Sequence, residues 1–332
     1  MSTPAKLSYG LIALTLLLVG WLHMAVPFIT VLFSTFALQK LRFWGRKDVA
    51  IAIFSILVVA FFYVFVFFIE RALDALPKIL DSLVPLIIEA AKEYKISLPF
   101  TDVNSLKEVL LGLVKDDWLG LGNLAKNLTR QLVFLLIGIV VAISLFLNST
   151  VDLARETHFV KNNLYSLTAD EMTHRFRSFY DSFSTVMGAQ IAISTINTAL
   201  TAIFILGVGM DYPRFLIIIT FACGLLPIVG NVISNTFIVS VGLTVSWKLA
   251  LGALAFLIVI HKLEYFLNSK IIGDRIKNPM WLTLLGLILG ERLMGIPGMI
   301  LAPVVLHYIK TEATKHQVAE TRSPVKEPAP VN

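Results

Sequence analysis

Gly224 to Asn235 reads GLLPIVGNVISN, and it interrupts a run, 215–246, that holds no charged residue. A helix crossing a bilayer gains nothing from Pro227, Gly230 and Asn231 at its midpoint. Proline removes a helical hydrogen bond and glycine is a poor helix former. Roughly 12 to 16 residues flank the break, and as helix they cover about 18 to 24 Å. The hydrocarbon core is about 30 Å thick, so each half is short for a full crossing. Two halves that turn at the break make a re-entrant hairpin. The other reading is a kink in one long tilted helix.

A second break has the same form. The run 279–309 is divided by GERLMGIPG (290–298), with Gly290, Gly295, Gly298 and then Pro303 as its punctuation. Charge gives the two breaks opposite sides. Asp211 to Arg214 and Lys248 flank the first, while the basic loop 270–278, ending just before Pro279, and Lys310 flank the second. Short basic loops mark the cytoplasmic side, so the first hairpin dips from outside and the second from inside. Non-helical backbone at membrane depth survives only where protein buries it or a wet cavity lies beside it. Paired interrupted segments therefore point to a transporter's binding site.

Composition sets the class around these breaks. Of 332 residues, 57% are hydrophobic and 15% charged, with a mean hydropathy of +0.80. A soluble domain carries about a quarter charged residues, so this chain is an integral membrane protein. Long apolar runs at 7–38, 49–69, 132–147, 186–208, 215–246, 249–260 and 279–309 exclude a barrel of short alternating strands. The fold expected is all-α and polytopic, with about six full spans or more plus the two hairpins. The net charge of +6 sits in short loops and does not imply nucleic acid. The lone Cys223 allows no internal disulfide.

Residues 7–38 are long enough for two tilted helices, with the turn at His23 and Pro27. No small-residue cleavage site follows residue 20, so the first helix reads as uncleaved. The loop 39–48, with Lys40, Arg42, Arg46 and Lys47 against Asp48, is placed in the cytoplasm with the N-terminus. The segment 1–69 is thus read as N-terminal spans and 70–131 as an external region of two or three amphipathic helices. Ser105 and Glu108 spell a capping box there, and the apolar faces suit the membrane or a neighbouring copy of the chain. A transport core follows over 132–310, then a disordered cytoplasmic tail over 311–332. Thr168 and Glu171 form a second capping box, opening a helix from 169 to about 208. GMDYPR (209–214) reads as the turn that ends it.

Polar residues inside these runs are the site candidates. Gln190, Ser194, Asn197 and Thr201 follow spacings of 4, 3 and 4, one stripe of a helix. Such residues also serve simply to bond neighbouring helices. Glu264 and Asn268 share a helix end with His261, an ordinary place for polar groups. Glu291 and Arg292 are either paired ions at a hairpin tip, functional at that depth, or a solvated turn. Asn235 follows Asn231 by one turn. His261, Lys262 and Glu264 lack the spacing of a metal site. No P-loop, Gly-x-Ser-x-Gly or His-Glu-x-x-His is present. An enzyme is not expected, and transport would run on a gradient.

DYPRFLIIITFACGLLPIVGNVISN, HKLEYFLNSKIIG, NPMWLTLLGLILG and GIPGMILAPVV together resemble the autoinducer-2 exporter family, over about Gln190 to Lys310. The resemblance rests on the Pro-x-x-Gly hairpin, the acidic Asn-containing helix end through Gly273, and the late glycine turn followed by Ala-Pro. It implies a transporter and does not fix the cargo, and no cofactor is expected. The family's named activity is export of the quorum-sensing signal autoinducer-2, and some relatives are linked to sodium/proton exchange. On this reading Gln190, Asn197, Pro227, Gly230, Asn231, Asn235, Glu264, Asn268, Glu291 and Arg292 line a pathway for a small polar solute. Proton or sodium coupling is the expected drive. The other class left open is a structural or regulatory membrane protein.

Overall fold

The computed structural model describes residues 2–42, 45–106, 108, 121–148, 163–226, 229–272 and 279–315. Among them there are helices and no strands. The protein is an all-helical polytopic membrane protein. Among the described residues four helices are long and apolar enough to cross a bilayer, at Thr3–Trp21, Lys47–Glu93, Lys126–Leu147 and Leu164–Gly207, and shorter apolar helices accompany them.

Helix α1 (Thr3–Trp21) opens on Ser2, whose Oγ accepts the Ala5 N–H at 3.4 Å. It closes at His23, which takes the left-handed φ of 54°. Helix α2 (Ala25–Lys40) follows at once. The turn is therefore at His23, and Pro27 sits in the first turn of α2, where it removes no helical bond. α2 lies against α4 (Leu121–Leu147). A Cβ at Gly138 of α4 would stand 2.7 Å from the Thr30 side chain and 2.9 Å from the Pro27 carbonyl. Small residues allow helix backbones that close an approach.

Helix α3 runs from Lys47 to Glu93 without a loop at residue 69. Its 47 residues extend about 70 Å, more than twice the hydrocarbon thickness. The change at 69/70 is thus a change of surroundings along one helix, not an element boundary. Pro77 and Pro85 lie inside it without ending it. Ala75, Ile79 and Leu83 of its second half pack on Ile205, Phe215, Leu216, Ile238, Val241 and Leu257. The second half of α3 is therefore seated on the chain's own later helices.

Both expected capping boxes are displaced. Asp102 accepts the Ser105 N–H at 2.7 Å, and the Ser105 hydroxyl accepts from the N–H groups of Thr101 and Asp102. Ser105 is thus the reciprocating partner, not the cap. The same N–H holds the Asp102 carboxyl below the usual carboxylate range. Helix α5 (Leu164–Gly207) starts on Asn163, whose Oδ1 accepts the Ser166 N–H at 2.8 Å. At Thr168 the backbone is already helical, so its hydroxyl finds no orphan N–H and is buried without a partner. α5 is 44 residues long, or about 66 Å.

The turn at 209–214 is where the sequence puts it, with Gly209 at φ 67° and Tyr212 at φ 53°. Helices α6 (Pro213–Gly224) and α7 (Val229–Val245) then fold back on one another. Phe215 and Phe237 meet edge to face at 5.5 Å. Twenty-two residues of straight helix would hold them about 33 Å apart, so the kinked-helix alternative is excluded. α8 (Trp247–Ile272) follows after Ser246, which caps it by accepting the Leu249 N–H.

The second break behaves alike. α9 (Met280–Met294) opens on Pro279 and meets α10 (Ile296–Ala313) at Gly295, φ 64° and ψ −146°. A Cβ at Gly286 would touch Leu306 at 3.1 Å, which only an antiparallel return permits. Pro303 lies half-buried inside α10. α10 continues to Ala313, so residues 311–313 belong to the packed helix and not to a tail. Residues 316–332 lie outside the described part.

Candidate functional site

The first hairpin exposes the last carbonyl groups of α6, which a helix end leaves without partners. Side chains of α5 supply them. Gln190 Nε2 donates to the Gly224 carbonyl at 2.6 Å, and Ser194 Oγ donates to the Phe221 carbonyl at 2.9 Å. The stripe at spacings of 4, 3 and 4 is what aligns these donors on one face. The hairpin itself closes on Gly230, where a Cβ would stand 1.7 Å from the Cys223 carbonyl. No residue but glycine fits there.

The next member of the stripe, Asn197, is buried, and its Oδ1 has no hydrogen-bond partner. Beside it lies the Glu264 carboxylate on α8. Asn231 Nδ2, in the first turn of α7, donates to Glu264 Oε2 at 2.6 Å. Asn197 approaches the same carboxylate as a hydrogen-bond partner. His261 Nδ1 stands 3.7 Å from Glu264 Oε2, beyond a hydrogen bond. The Glu264 side chain is only 14% exposed. Three helices thus converge on one carboxylate under the hairpin tip. This carboxylate has two amide neighbours, one of which keeps an uncommitted acceptor.

Of the residues singled out in the sequence, Asn197, Asn231 and Glu264 therefore meet at one carboxylate, while Gln190 and Ser194 bond the carbonyl groups of the hairpin. Thr201 is buried a turn further along α5, and Asn235 is half-buried a turn beyond Asn231. Asn268 lies on α8, and nothing is described of its side chain. Pro227 and Gly273 fall outside the described residues.

Among the described residues, hairpin two holds no such cluster at its tip. Gly290 and Gly298 cross there so closely that a Cβ on either would stand 2.4 or 1.9 Å from the other's carbonyl oxygen. Glu291 and Arg292 are exposed in the last turn of α9. Glu291 contributes its backbone carbonyl, which accepts the Gly295 N–H at 2.7 Å. α9 packs on α10 and α1, away from the Glu264 cluster.

One buried ionic group was not foreseen. Arg175 on α5 bonds Glu312 on α10, and bonds Glu171 at 2.9 Å. Glu312 also accepts from Tyr9 of α1 at 2.8 Å, from Ser178, and from Lys315 at 2.6 Å. Arg175 lies over the Tyr9 ring, 4.2 Å from its centroid. The Glu171–Arg175 spacing of four was readable. Glu312 was hidden because its neighbourhood reads as a polar tail.

Known proteins bear on this geometry. The model of the AI-2E family transporters matches residues 7–315. A protein of Bacillus subtilis (strain 168), YdbI, whose name assigns it to transport, is 30% identical over 158 residues. That match spans 43% of this chain and 45% of the relative, under half of its length.

Proposed function

Because the chain belongs to the AI-2E transporter family, whose members are transporters rather than enzymes, we propose that it moves a small polar solute past the Glu264–Asn231–Asn197 cluster. The observation that carries this reading is the buried, unpartnered Asn197 Oδ1 beside a half-buried carboxylate. A buried polar group without a partner costs about 1–3 kcal/mol. A solute O–H or N–H that reaches it recovers that cost. The first hairpin supplies the moving part, since the bonds from Gln190 and Ser194 to its tip can be exchanged for bonds to solute or water. With no nucleotide-binding loop in the sequence, the drive is a gradient. Autoinducer-2 is the solute the family name suggests. The short basic loops favour an inner membrane with both termini in the cytoplasm.

A second reading, exchange of a cation for protons, is favoured by Glu264 itself. One carboxylate with the uncommitted Asn197 Oδ1 beside it offers a monovalent cation hard-oxygen ligands. Among the described residues no group of three or more His, Cys, Asp or Glu gathers to hold a multivalent metal. Association of copies through 70–131 is favoured by Leu73, Leu86 and Ile87, exposed on the outer half of α3.

Flux into proteoliposomes tests these readings, with sodium and pH gradients varied independently over a panel of solutes. Asn231→Ala and Glu264→Gln should each lower solute flux about tenfold or more, the loss expected for one charge-assisted hydrogen bond. Sodium-dependent proton flux without solute would select the exchanger. No flux under any gradient, from protein that remains folded, would leave a structural or regulatory role.

A further inference from the structure

α5 carries a second polar face. Ser178, Ser182 and Thr185 follow one another at helical spacing. At 100° per residue they lie about a third of a turn round the helix from Gln190, Ser194 and Asn197. This face looks onto α10 and not onto the first hairpin. Between the two helices lies a cavity of about 560 Å³, lined by Ser178, Asp181, Ser182 and Thr185 on one wall, and by His307, Lys310, Thr311, Thr314 and Lys315 on the other. Its size falls within the range of small-molecule sites.

The two walls are chemically opposite. On the α5 wall the hydroxyl protons are already spent. Ser182 donates to the Ser178 carbonyl, Thr185 to the Asp181 carbonyl, and Ser178 to Glu312. What remains towards the cavity is acceptor capacity, headed by the Asp181 carboxylate. The α10 wall brings the ammonium groups of Lys310 and Lys315. Glu312 and Ser178 take two of the three N–H groups of Lys315, which fixes that side chain and leaves one donor. Through Glu312, which Ser178 and Lys315 both bond, the two walls are tied to the Arg175 network that holds α1, α5 and α10 together.

We propose that this cavity is a binding site for a small zwitterion, with its ammonium on the Asp181, Ser182 and Thr185 wall and its anionic oxygens on Lys310 and Lys315. A simple anion is disfavoured by Asp181, and a simple cation by the lysines. Only a molecule with both groups pairs both walls. The same chemistry is offered by a free amino acid and by the phosphoethanolamine headgroup of a lipid. The site is separate from the Glu264 cluster and does not depend on what the cluster transports.

Calorimetric titration of the full chain in detergent decides the matter. The probes are L-serine and O-phosphoethanolamine, against ethylamine and lactate as the two half-molecules. At least one zwitterion should bind saturably and about tenfold or more tighter than either half-molecule, as expected when a charge-assisted pair is lost. Asp181→Asn and Lys310→Gln should each weaken it by a similar factor. Comparison of the half-molecules on the unaltered chain requires no variant to fold. If the source is lipid, native mass spectrometry should show phosphatidylethanolamine retained over phosphatidylcholine, whose quaternary ammonium has no N–H, and O-phosphoethanolamine should displace it. If lactate or ethylamine binds as tightly as L-serine, or if neither the soluble zwitterions nor the lipid bind saturably, the proposal is overturned.

Discussion

At the first hairpin the tip is held from outside, by Gln190 and Ser194 of a neighbouring helix reaching its carbonyl groups. The second is held from within, by two glycine backbones crossing at Gly290 and Gly298. The difference separates two jobs. Side-chain bonds to a helix end can be traded for bonds to water or solute at small net cost. A backbone crossing without side chains has nothing to trade. The ionic groups divide accordingly. Glu264 sits under the tip that side chains hold, whereas Glu312 locks the far end of the other hairpin onto α5 and α1.

The largest expected effect probes what the hairpins share. Gly230→Ala places a Cβ 1.7 Å from the Cys223 carbonyl, and Gly298→Ala places one 1.9 Å from the Gly290 carbonyl. Each should cost about 3 kcal/mol or more, read as lost monodisperse protein in size-exclusion chromatography and a lowered Tm. Tolerance of Gly230→Ala alone would mean that the first hairpin opens readily. Next comes the contrast in flux. Glu264→Gln should reduce it about tenfold, or about 1.4 kcal/mol, while Glu291→Gln should change it by less than about twofold. The reverse result would move the pathway to the second hairpin.

Smaller effects sharpen the comparison. Gly295 has a φ of 64° with open space around it, so Gly295→Ala meets only backbone strain, about 1–3 kcal/mol. Thermal unfolding should show that loss with flux through the first hairpin preserved. Gln190→Leu orphans the Gly224 carbonyl and should cost about 1 kcal/mol. It should also raise the reactivity of the tip, a change absent from Gly295→Ala.

The two breaks were legible because Pro227, Gly230, Gly295 and Gly298 are the strongest punctuation a helix can carry, and length arithmetic supplied the rest. Asn231 and Glu264 were each visible as candidates. Their 2.6 Å hydrogen bond was not, since 33 residues of chain separate them and only the folded hairpin brings α7 onto α8. The extent of α3 was misread because composition follows what surrounds a helix. Phe61 and Leu83 differ in environment, yet one unbroken helix carries both. The local pattern at Thr168 and Ser105 spells a cap, while Asn163 and Asp102, a few residues earlier, already start the helices. Glu312 was lost in a stretch whose later prolines suggested disorder, although four groups bond its carboxylate.

Cys223, whose carbonyl receives Gly230, is the sole cysteine in the chain, and its thiol is free and half-buried. The sequence thus already carries a single attachment point beside the tip of the first hairpin. A maleimide reagent will label the unaltered protein at that residue alone. Its rate of labelling from each side of a sealed vesicle, with and without solute, gives a direct readout of which way the tip faces during transport.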